Sequence, residues 1–105
     1  MPINVPKCKI TVLKRMLNKD LADEYLDVDD FHACEHFSEG QEVIVEHPFR
    51  MPEGFCQWAW ADIRGDIMAI AVGGDFPWIR QRGVQITGCT DWFRPVIFKI
   101  ERLEE

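Results

Sequence analysis

A chain of 105 residues, 47% hydrophobic and 29% charged, has the composition of one folded domain, 1–105, rather than of a disordered segment. Its 12 basic and 18 acidic residues leave a net charge of −6, which argues against sequence-independent nucleic-acid binding, because that needs a cationic surface. The start MPINVPKCK carries no apolar run of signal-peptide length, and Asp62, Arg64 and Asp66 interrupt the best candidate for a membrane span, so a cytoplasmic chain with no membrane partner is expected.

The first patterned stretch is Lys7 to Lys14, where Cys8, Ile10 and Val12 alternate with Lys7, Lys9 and Thr11. Period two predicts a strand with one buried face, and Cys8 falls on it. Asn18 to Leu26 reads as a short helix, with Asn18 or Asp20 available as a cap and Leu21 and Tyr25 one turn apart toward the core. The acidic run Asp27, Asp29, Asp30 is a solvated turn. A calcium loop counted from Asp27 would need glycine at its sixth position and glutamate at its twelfth, where His32 and Ser38 stand. Phe31 to Gly40 is a loop, and Gln41 to Glu46 a strand closed by His47-Pro48.

The longest apolar stretch is Pro52 to Gly74, predicted as the central helix. Phe55, Trp58, Ala59, Ile63, Ile67, Ile70 and Ala71 make one stripe. Cys56, Trp60, Ile63, Met68 and Val72 widen it, so two sides are expected to be buried. Gly73-Gly74 supplies a left-handed terminus. Gly65 is the weak point, at about 1 kcal/mol against alanine. One or two further helical turns are expected over Asp75 to Gly83, opened by Pro77. Val84 to Cys89 and Pro95 to Leu103 then form an antiparallel hairpin about a Thr90 to Arg94 turn. The order predicts an α+β fold: a four-stranded, mainly antiparallel sheet with the amphipathic central helix on one face, plus two short helices.

The segments EGQEVIVEH, PEGFCQWAWADI, GGDFPW and CTDWFRPVIFKIER, in this order and spacing, resemble a family of short prokaryotic proteins of unassigned function. The resemblance spans Lys9 to Arg102. It departs at Trp92, where members usually have glycine, and at Ala33, where many have proline. It implies a compact cytoplasmic domain in which Cys34, Cys56 and Cys89 belong to the recurring pattern, and it implies no activity.

Several residue groups can carry chemistry. In the cytoplasm cysteines are expected as thiols or ligands rather than disulfides. Cys56 lies at a helix start, where free amides and the dipole favour a thiolate. Cys89 lies where a strand runs into a turn, and Cys34 is flanked by His32 and His36. No Cys-x-x-Cys pair is present, so a metal or redox cofactor site would have to assemble from separated residues: Cys34, Cys56 and Cys89, with His32 and His36 as accessory ligands. Cys8 is excluded by its strand phase. Asp62, a charge within the apolar stretch, is expected to pair with Arg94 or to share a hydrogen-bond network with it. Trp58, Trp60, Trp78 and Trp92 can line a small-molecule pocket or pack as core. Three functions remain open on this reading: a binding or accessory protein with a cysteine-based metal or redox site; an enzyme using Cys56 or Cys89 as nucleophile with a histidine base; and a cofactor-free domain that forms homo-oligomers through exposed aromatics.

Overall fold

Alternation and helical periodicity sort the patterned stretches of the chain into six elements in the computed structural model, which describes residues 6–103. They are β1 (Cys8–Arg15), α1 (Lys19–Tyr25), β2 (Glu42–Val45), α2 (Gln57–Ala71), β3 (Val84–Gly88) and β4 (Val96–Arg102). The strands form one sheet in the order β2-β1-β4-β3, and every neighbouring pair is antiparallel. Ile10 stands opposite Val43 and Ile100, and Val12 opposite Phe98. One face of the sheet therefore presents Cys8, Ile10, Val12, Val45, Val96, Phe98 and Ile100, all buried.

Helix α2 lies against that face, in contact with β1, β3 and β4. Its buried residues are Ala59, Ile63, Ile67, Ile70 and Ala71, which recur at helical spacing. Burying each isoleucine contributes roughly 1.5–3 kcal/mol. Of the second set expected on this helix, Ile63 is buried and Cys56, Trp60 and Met68 are half-buried, Cys56 and Trp60 packing against the core, whereas Val72 is exposed, as is Trp58 of the first stripe. The helix is also shorter than Pro52–Gly74. Pro52 to Phe55 is a turn in which the Phe55 amide donates to the Pro52 carbonyl at 3.1 Å, with Gly54 at φ 79°. A turn of this kind needs positive φ at its third residue, which glycine supplies. At the other end the Gly74 amide donates to Ala69 O (2.8 Å) and the Gly73 amide to Ile70 O (3.2 Å), the two bonds of a Schellman terminus. A Cβ on Gly74 would sit 2.6 Å from the Ala69 oxygen, so the stop requires glycine there.

Residues 75–83 form turns, not the second short helix expected. The Asp75 carboxylate captures the Gly83 amide at 2.6 Å and also meets Arg82 (3.1 Å) and Arg102 (3.4 Å), closing the segment into a loop. A segment this short gains too few helical bonds to outweigh that side-chain closure. In α1, Leu21 and Tyr25 are exposed and only Ala22 is buried. Asn18 caps nothing with its side chain; its amide nitrogen donates instead to the Trp92 carbonyl.

Two irregularities shape one end of the sheet. Register shifts between Val12 and Lys14 of β1, leaving Leu13 as an extra residue. Without this bulge Lys14 would stand opposite Val96; with it, Arg15 does, and its side chain is turned to the helix side. The long 26–41 loop is held by Phe37, which is buried with ring centroids 5.1 Å from Phe55 and 5.2 Å from Phe98.

Candidate functional site

Cys34, Cys56 and Cys89 come from a loop, a helix start and a strand end, and all three line one cleft of about 490 Å³. Each is part-exposed, and all four cysteines are free. Three local structures deliver them. Cys56 is the residue before α2, extended at φ −68° and ψ 121°, and its carbonyl receives the Trp60 amide at 2.9 Å. Its thiol makes no capping hydrogen bond. Cys34 is held from both sides: Phe37 is in the core three residues later, and Arg15 donates from Nη1 to the Cys34 carbonyl at 2.9 Å. Arg15 reaches it because of the bulge; its Nε is buried without a hydrogen-bond partner.

Cys89 is fixed by β4. Its amide donates to Val96 O (3.1 Å) and its sulfur accepts the Val96 amide (3.3 Å). The approach is close because the preceding residue is Gly88, where a Cβ would lie 2.8 Å from Val96 O. Beyond Cys89, the Asp91 carboxylate builds the turn. Its Oδ1 accepts the amides of Phe93 and Arg94, each at 3.2 Å, and its Oδ2 accepts Arg94 Nε at 2.8 Å. That bond and the Asp91 charge hold the Arg94 guanidinium above its ordinary pKa, and the neighbouring Cys34 and Cys89 act in the same sense. The Arg94 carbon Cζ also sits 5.1 Å from the Phe31 ring centroid.

The expected Asp62–Arg94 ion pair is therefore not what forms. Arg94 pairs with Asp91 in its own turn, whereas Asp62 Oδ2 accepts the Thr90 amide at 2.7 Å and the Thr90 hydroxyl at 2.9 Å. The Thr90 oxygen in turn accepts Trp58 Nε1–H at 3.0 Å. Trp58 and Asp62 are one helical turn apart on α2, so the pair clamps the residue after Cys89 onto the helix. This clamp escapes sequence reading because Thr90 and Arg94 lie in the same turn, both far from Asp62 in sequence, and only the fold decides which of them faces the helix. The Asp91 turn had a signal, an aspartate three residues before the arginine and proline that end it.

The histidines separate. His36 lines the cleft, with Nε2 3.0 Å from Gly54 O. A carbonyl only accepts, so that nitrogen carries the proton. His32 lies at a different hollow beside Asp29, Asp30 and Phe31. Among the described residues no group of three His, Cys, Asp or Glu side chains is placed to hold a metal ion. Of the four tryptophans, Trp58 and Trp92 wall the cleft, Trp60 borders a second hollow with Phe49, and Trp78 is exposed beside Phe76. Cys8 lies in the core, where burial pushes its thiol up to about 11.

No helix among the described residues is long and apolar enough to cross a membrane. Comparison with family models, with curated proteins and with solved structures gives no match.

Proposed function

We propose that this protein is a small binding or accessory domain that works through the thiols of Cys34, Cys56 and Cys89 in one cleft. The observation that carries the reading is their convergence: three cysteines far apart in sequence line the same cleft, and the fourth is sealed in the core. The described residues offer no group of three side chains placed to hold a metal ion, so what supports the reading is the shared cleft and not a metal-ligand geometry. A cysteine nucleophile activated by histidine is less well supported, because His36 is turned to the Gly54 carbonyl.

Alkylation of the native protein with iodoacetamide, followed by intact mass and peptide mapping, tests the proposal. Cys34, Cys56 and Cys89 should react, and an adduct on any one should slow the other two, since they share one cleft. Independent rates at the three sites, unaffected by Cys→Ser changes at the others, would refute it. Metal analysis of anaerobically purified protein checks the metal form directly.

A further inference from the structure

Arg94 is held on three sides and open on the fourth. Asp91 takes its Nε at 2.8 Å and its backbone amide at 3.2 Å, and Phe31 stacks beneath the guanidinium carbon at 5.1 Å. Neither terminal amino group has a hydrogen-bond partner among the described residues, and Arg94 lines the cleft. A fork fixed in this way is preorganised for a planar two-oxygen acceptor, because little side-chain freedom remains to be lost. The rest of the cleft is of another character. Trp58 and Trp92, 66% and 68% exposed, give it two aromatic walls that the core does not use. Phe37 and Val96 give it an apolar floor. Its volume of about 490 Å³ lies in the range that encloses small organic ligands.

We propose that the cleft binds a small aromatic carboxylic acid, with the carboxylate on the terminal amino groups of Arg94 and the ring between Trp58 and Trp92. This rests on the reading of the cleft as the functional site and names its ligand class. The Asp91 carboxylate does not compete, because it occupies the Nε edge and leaves the end of the fork open. Because Cys34, Cys56 and Cys89 line the same cleft, a ligand bound in this way should shield them from solvent.

Calorimetric titration of the full chain with phenylacetate and with neutral phenylacetamide tests the assignment. Phenylacetate should bind about tenfold tighter or better, the worth of one good charged fork contact. Arg94→Gln should bring phenylacetate down to the affinity of the amide, and Arg94→Lys should recover only part of the difference. Trp92→Ala, at an exposed position outside the core, should weaken both ligands and serves as a second test should Arg94→Gln fail to fold. Phenylacetate should also shield Cys34, Cys56 and Cys89 from alkylation. Equal affinity for acid and amide, no binding of either, binding unchanged in Arg94→Gln or in Trp92→Ala, or binding without shielding would each overturn the proposal. Mutual slowing of alkylation among the thiols, read without ligand, is a separate result, so the thiol proposal can survive the loss of this one.

Discussion

Removing the Asp62 carboxylate is the sharpest test of how the site is held together. Its Oδ2 accepts two hydrogen bonds from Thr90, at 2.7 and 2.9 Å, and the Thr90 oxygen accepts Trp58 at 3.0 Å. Hydrogen bonds to charged acceptors contribute about 1.5–3 kcal/mol when shielded. Thr90 is exposed, so water replaces part of what is lost. Asp62→Ala should therefore cost about 1–2 kcal/mol in total, measured as the change in urea midpoint at constant m. A double-mutant cycle identifies the partner. Asp62→Ala with Thr90→Val should couple by about 1 kcal/mol, whereas Asp62→Ala with Arg94→Gln should couple by less than about 0.3 kcal/mol. The alkylation rate of Cys89 should rise in Asp62→Ala, because the residue after it is released from the helix. Coupling to Arg94 as large as coupling to Thr90 would refute the assignment, and so would an unchanged Cys89 rate.

Two glycines of α2 and its terminus should respond in opposite directions to alanine: Gly65→Ala should stabilise by about 1 kcal/mol, since nothing lies within 4 Å of the new Cβ, whereas Gly74→Ala should destabilise by about 1–3 kcal/mol, since its Cβ meets the Ala69 carbonyl; thermal melts decide both. The Gly83 amide, foremost, and then the nearby Arg102 hold the Asp75 carboxyl below the usual carboxylate range. A depressed folded pKa gives stability that is present above the unfolded value of about 3.9 and lost as pH falls through the folded one, so the stability gap between wild type and Asp75→Asn should close in acid, as pH-dependent melts will show. Cys8 should resist alkylation in the native protein. Because its thiol is raised to about 11, stability should fall as pH climbs from about 9, where the unfolded thiol ionises first, and Cys8→Ala should flatten that decline. Arg15→Met should leave the sheet paired but free the Cys34 loop, read as faster Cys34 alkylation with little change at Cys56.

Local pattern determined the elements that repeat. Cys8, Ile10 and Val12 alternate and are buried; Val96, Phe98 and Ile100 do likewise; Ile63, Ile67 and Ile70 recur at helical spacing beneath them. These positions are legible because burial on one face leaves a period in the residues themselves. The same logic removed Cys8 from the site. It failed where a single local choice is settled by a distant neighbour. Pro77 suggested a helix, yet residues 75–83 close as a loop because Asp75 reaches Gly83 and Arg102. Strand alternation ran through Lys14, yet the bulge at Leu13 turns Arg15 toward Cys34. Phe37 falls in a stretch read only as a loop, yet its buried ring packs against Phe55 and Phe98. The cysteines of the cleft could be nominated from the chain, but their meeting could not, because it depends on three such long-range contacts acting together. The partner of Asp62 shows the same physics: a carboxylate at a helix surface takes whichever donors the fold brings nearest. Here a turn held by Asp91 had already engaged Arg94 and left the Thr90 amide and hydroxyl for Asp62.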